Sequence, residues 1–140
     1  MRVVVDTSVF LPGVFFGGPP RDVLAAWRAS RIEMVVSGEI IQEYLRVGVR
    51  LSARFPDADL DRVLDMVAET ATLVSAPPLP EPVCEDRDDD KFLACAVAAG
   101  ARYVVSSDRA LLATSPYRNV TVLRSRDLLD ILRVRTPAKE

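Results

Sequence analysis

Asp6, Glu43, the pair Asp89-Asp90 and Asp108 each fall where a strand or helix pattern would deliver an acidic side chain to one end of a single α/β sheet. Carboxylates gathered in a cleft repel one another, and they stay ionised together only when a cation neutralises them. The arrangement reads as a divalent-metal site, and hard oxygen donors favour Mg2+ or Mn2+ over zinc. The chain contains no histidine. That absence removes the commonest general base, the commonest transition-metal ligand and every Ser-His or Cys-His nucleophile. Catalysis has to run on carboxylates, hydroxyls, amines or a bound metal.

Asp6 ends the apolar run Val3-Val4-Val5, and Thr7 and Ser8 put two hydroxyls beside it. An Asx turn at a strand end accounts for such an acid equally well. Glu43 lies close to the inward stripe formed by Ile40 and Tyr44, although a solvated edge is the commoner place for a lone helical glutamate. Most acids of the run Glu85 to Asp90 serve the positive end of the next helix. On a helical wheel Asp89 falls among Phe92, Leu93, Ala96 and Gly100, and Asp90 is turned by about 100° toward Val97. Asp89 is therefore the expected ligand and Asp90 its substitute. Asp108 comes after Tyr103-Val104-Val105 as Asp6 comes after the first strand, and by itself it would be a helix cap. Two strand-end acids and two helix acids converging on one sheet edge are much harder to explain by capping alone.

The elements that must position these acids alternate. Val3 to Val5 reads as a buried parallel strand, and Gly17 to Pro20 breaks the chain before Val23, Leu24 and Trp27 recur at helical spacing. Ile32 to Val36 is a second strand. Ser37 caps a helix with the stripe Ile40, Ile41, Tyr44, Leu45 and Val49, and Pro56-Asp57 opens another through about Thr70. A short strand at Leu73-Val74 leads into the Pro-rich loop Ala76 to Val83. A strong apolar helix then spans Asp88 to Gly100, with strands at Tyr103 to Val105 and Val120 to Leu123 and a helix from Arg126 to Arg133 after it. This alternation predicts a three-layer α/β/α fold on a central, mostly parallel sheet of Rossmann-like topology, whose ligands bind beyond the carboxyl ends of the strands.

With 140 residues, 49% of them hydrophobic, the chain supports one domain, expected over residues 1–133 with a C-terminal tail at 134–140. A net charge of −2 argues against a protein that coats nucleic acid by bulk electrostatics, though arginines can still line the rim of an acidic pocket. Two cysteines, Cys84 and Cys95, are too few for a disulfide scaffold. No signal-peptide pattern and no membrane-length apolar stretch is evident, so a cytoplasmic protein is expected.

The segments Val3-Val4-Val5-Asp6-Thr7-Ser8-Val9, Ser37 to Leu45, Asp88-Asp89-Asp90-Lys91-Phe92-Leu93-Ala94 and Ala99 to Asp108 together resemble the PIN-domain family of metal-dependent ribonucleases, over nearly the whole chain to about Leu132. They are most similar to the small stand-alone members described as toxin components of toxin-antitoxin pairs, the VapC toxins. The resemblance implies an endoribonuclease in which Mg2+ or Mn2+ activates water for attack on an RNA phosphodiester. Asp6, Glu43, Asp89 and Asp108 carry over as its metal-binding acids. It implies that Thr7 or Ser8, with Ser106, orients a carboxylate or water. Arg21, Arg46, Arg50 and Arg109 become candidates for holding RNA phosphates. Two positions depart from the family pattern: Ser8 stands where Asn is frequent, and Ala110 where many members carry a further Asp.

Two rival readings compete with the ribonuclease. One is a catalytically idle PIN-like module that binds RNA or protein. The other is an aspartate-based phosphoryl-transfer domain, against which the Asp6-Thr7-Ser8 segment lacks the second acid of a dehalogenase-like site. An antitoxin partner is implied by the resemblance. A homodimer is expected on the family pattern and because Phe10, Leu11, Val14, Phe15 and Phe16 form an apolar run that either needs covering or packs inside the monomer.

Overall fold

Val3, Val4 and Val5 are fully buried on β1 (Arg2–Val5), the central strand of a five-stranded parallel sheet. The computed structural model describes residues 1–135. The strand order is β3 (Thr72–Leu73), β2 (Glu33–Val36), β1, β4 (Tyr103–Val105), β5 (Thr121–Leu123). Strands this short and apolar, buried on both faces, are what helices covering both sides of a sheet require.

Among the described residues seven helices cover the sheet: α1 (Thr7–Phe15), α2 (Pro19–Arg28), α3 (Gly38–Arg54), α4 (Leu60–Thr70), α5 (Asp90–Ala99), α6 (Arg109–Leu112) and α7 (Ser125–Arg135). The result is the three-layer α/β/α fold anticipated from the alternation of patterns. Helix α5 lies across β1, β2 and β4, α1 packs against α2, α3 and α4, and α7 against α2. Gly48 on α3 permits a close approach, since a Cβ there would sit 2.8 Å from Leu60. Gly100 ends α5 in the left-handed conformation.

Strand register brings two distant polar residues together. β1 and β4 pair as Val3 with Tyr103, Val4 with Val104 and Val5 with Val105. Asp6 and Ser106 therefore leave the sheet side by side, where the chain turns to opposite flanks.

Several boundaries differ from the sequence pattern. Helix α1 was not anticipated, because its apolar segment carries no amphipathic period and holds Pro12 in its middle. The carbonyl of Ser8, which Pro12 cannot bond, accepts instead from the Ser107 hydroxyl at 3.4 Å. The apolar run packs mostly inside the monomer: Phe10 stacks on Tyr44 with ring centroids 4.0 Å apart, Leu11 is buried, and Phe16 remains 57% exposed. Helix α4 begins at Leu60 rather than Pro56, because the Asp59 side chain accepts from the Arg62 amide. A 3-10 turn at Arg87–Asp89 precedes α5, so the helix starts at Asp90 rather than Asp88. Helix α7 runs to Arg135, and the rest of the expected tail, residues 136–140, lies outside the described residues. Both cysteines are free and buried. Among the described residues no helix is long and apolar enough to cross a membrane.

Candidate active site

Asp6 is 4% exposed at the end of β1, and its carboxylate accepts from two hydroxyls. Ser106 donates to its Oδ2 at 2.6 Å and Ser8 to the same oxygen at 2.7 Å. Ser8 also accepts from the Ser107 amide at 3.0 Å, and Ser106 from the Asp108 amide at 2.9 Å. The two strand ends are thus laced together by serines around one acid. Burial holds the Asp6 carboxyl above its ordinary range, while the serine hydroxyls pull it back and the charge of Glu43 adds to the rise. Among the described residues no cation pairs with Asp6.

Asp89 sits at the N-cap position of α5 but makes no side-chain cap bond. Its carboxyl faces Asp108 instead. Burial, then a hydrogen bond with Asp108 and the charges of Asp108 and Asp6, pushes it up to about 7. The Asp108 side chain caps α6 through the Ala110 amide at 3.0 Å, so the capping and pocket-facing roles coexist there. Asp90 is turned away from this group. It accepts from the amides of Val83 at 3.2 Å and Cys84 at 2.7 Å, fastening the end of the Pro-rich loop to α5.

Glu43 reaches the pocket from α3, and both of its oxygens are occupied. Thr7 donates to Oε2, and Lys91 lies 2.5 Å from Oε1 with Arg46 at 3.7 Å. Lys91 also pairs with Asp88 at 3.1 Å. Its side chain is only 10% exposed. Burial works against the ammonium, but Glu43 and Asp88 outweigh it and hold Lys91 above its usual value, while Lys91 holds Asp88 below. Lys91 was not singled out from the sequence. The available signal was a cation in the first turn of a helix, where the backbone dipole disfavours it, within an acidic run.

The arginines divide. Arg46 stands at the rim beside Glu43, and Arg50 and Arg109 are exposed. Arg21 is spent on the last carbonyls of α1, donating to Gly13 at 3.2 Å and Val14 at 3.4 Å. A cleft of about 600 Å3 is lined by Gly100 to Arg102 and Arg118 to Thr121. These residues lie at the starts of β4 and β5, so the cleft lies at the opposite sheet end from the acids.

As they stand, no three acidic or cysteine side chains among the described residues gather closely enough to share an ion. Glu43 pairs instead with Lys91, at 2.5 Å. The donor chemistry nevertheless fits a hard cation, since a buried carboxylate without a cationic partner lies beside two further acids with no imidazole or thiolate among them. Asp6, Asp89 and Asp108 are the side chains that could hold one.

The acidic pocket lies where the parallel sheet reverses its winding, between the strand ends of β1 and β4 and the helix that crosses back. The chain belongs to the PIN-domain family, whose model matches residues 2–110. Members of this family are in general nucleases, which places the chain, coarsely, among hydrolases that act on nucleic acids. No match is found among curated proteins. Among solved structures, the crystal structure of PAE2754 from Pyrobaculum aerophilum superimposes with a TM-score of 0.63 at 20% identity, over 96% of this chain and 90% of that one. At that identity the likeness shows the fold alone.

Proposed function

We propose that this chain is a metal-dependent endoribonuclease, with Mg2+ or Mn2+ as its cofactor, acting as the toxin of a toxin-antitoxin pair. The observation that supports the reading is that Ser106 ties the Asp6 carboxylate to the Asp108 amide at one sheet end, with Thr7 beside Asp6 bonded to Glu43 and Asp89 at the start of α5. Asp6, Asp89 and Asp108 would hold the ion. Bound there, it would polarise the phosphodiester and neutralise the charge that builds on it. Ser8 and Ser106 fix the Asp6 carboxylate by hydrogen bonds to one of its oxygens. Arg46 at the rim, with Arg50 and Arg109 exposed, would meet phosphates flanking the cut. The toxin role, the antitoxin and a homodimer rest on the similarity to VapC toxins; the exposed Phe16, edge-on to Phe55 at 5.0 Å, supplies an apolar surface for a partner.

Ala110 supports a second reading, an idle PIN-like module, because many members carry a further acid at that position. Cleavage of a mixed, labelled single-stranded RNA by the wild type and by Asp6→Asn, each with Mn2+, Mg2+ or EDTA, separates the two. Cutting that needs both metal and Asp6 supports the nuclease; metal binding without cutting favours the idle module.

A further inference from the structure

We infer that Lys91 is a resident cation of the acidic pocket, holding Glu43 in the place where a second divalent ion would otherwise bind, so that the chain operates with one ion. The inference rests on the metal-dependent reading above and deepens it.

Both oxygens of Glu43 have partners. Thr7 donates to one, and the Lys91 ammonium sits 2.5 Å from the other. Both partners are nearly closed to water, at 10% and 12% side-chain exposure, so this pair is not a screened surface contact. Its position is also unfavourable on local grounds, because a lysine in the first turn of α5 opposes the helix dipole. The compensating group comes from a different helix, Glu43 on α3, with Asp88 at 3.1 Å on the open side. Two elements distant in sequence thus place one ammonium against the wall of the pocket.

Charge balance shows what this does. Asp6, Glu43, Asp89 and Asp108 ionised carry four negative charges, and Lys91 reduces the total to three. One divalent ion then leaves a single negative charge, and a second would overcharge the pocket while having to displace Lys91 from Glu43. Without Lys91, one divalent ion leaves two uncompensated carboxylates, one of them the released Glu43. Lys91 bonds Glu43 and Asp88, so it is a positioning residue acting through Glu43.

The test is the number of Mn2+ ions bound per chain, counted by native mass spectrometry and by paramagnetic resonance of free Mn2+ across a titration. The wild type is expected to bind one, Lys91→Met two, and the double variant Lys91→Met with Glu43→Gln one again. The double variant, which removes both charges of the pair together, guards against loss of folding in Lys91→Met, and Lys91→Arg should keep the count at one. Two ions in the wild type, or one in Lys91→Met, would overturn the inference and leave the metal reading standing. No ion in any variant would overturn both.

Discussion

Ser106 and Asp6 lie 100 residues apart in the chain and 2.6 Å apart in the fold. The in-register pairing of β1 with β4 creates this contact, and the same serine hydroxyl accepts from the Asp108 amide. One small side chain therefore sets the geometry of two pocket acids. Ser106→Ala should cost about 1–2 kcal/mol, the usual penalty for unmaking buried hydrogen bonds. It should also weaken Mn2+ binding by roughly 10–100-fold, as loss of a group that orients a ligand does. Urea unfolding together with a Mn2+ titration measures both.

Asp6→Asn should remove metal-dependent RNA cleavage and leave the chain folded. Without metal the variant should be more stable than the wild type, because burial already disfavours the charged carboxylate that the amide replaces. Circular dichroism melting in EDTA reads the second outcome; a loss of stability there would show that the serine hydroxyls outweigh the burial.

Asp89 predicts a pH dependence. Between the ordinary value of 3.8 and about 7, the folded chain holds a proton that the unfolded chain has released. The metal-free protein should therefore lose stability as pH rises across that window, and the loss should level off above it. Asp89→Asn should flatten the slope and be more stable at pH 8 by about 1–2 kcal/mol, less than the full shift would give because the side chain is partly open to water. The difference between wild-type and variant unfolding free energies from pH 4 to 8 measures this dependence.

Asp90 and Asp89 should separate cleanly. Asp90→Ala frees the amides of Val83 and Cys84 and should cost about 1–3 kcal/mol. Metal affinity per folded molecule should be unchanged. Asp89→Ala should do the reverse, lowering affinity with little loss of stability. Calorimetric Mn2+ titration of both variants at a temperature where each is folded decides it.

Phe16 tests the partner surface. If a second copy covers the Phe16–Phe55 edge, Phe16→Ser should shift sedimentation from dimer to monomer without lowering the melting temperature, since Phe16 is 57% exposed in the single chain. A wild type that sediments as a monomer at all concentrations would remove the homodimer.

The sheet and its acids were legible because their signals are local. Valine runs ending in Asp6 and near Asp108 mark buried parallel strands, and the alternation of strand and helix puts a pocket beyond their carboxyl ends. Helix α1 was not legible, because its apolar residues are buried nearly all round and Pro12 argues locally against a helix; packing on Tyr44 and the Ser107 bond to Ser8 override that propensity. The roles of neighbouring acids were decided in three dimensions. Asp89 and Asp90 are adjacent and chemically identical, yet the loop at Val83 and Cys84 takes one and the β4 end meets the other. Sequence alone determined that this chain would be a histidine-free, acid-bearing α/β domain, since residue type and period suffice for that. Only the tertiary structure decided that Lys91 would occupy Glu43 and that two serines would hold Asp6. Those contacts join segments far apart in the chain, such as Thr7 with Glu43 and Asp6 with Ser106, whose meeting depends on strand register and helix packing.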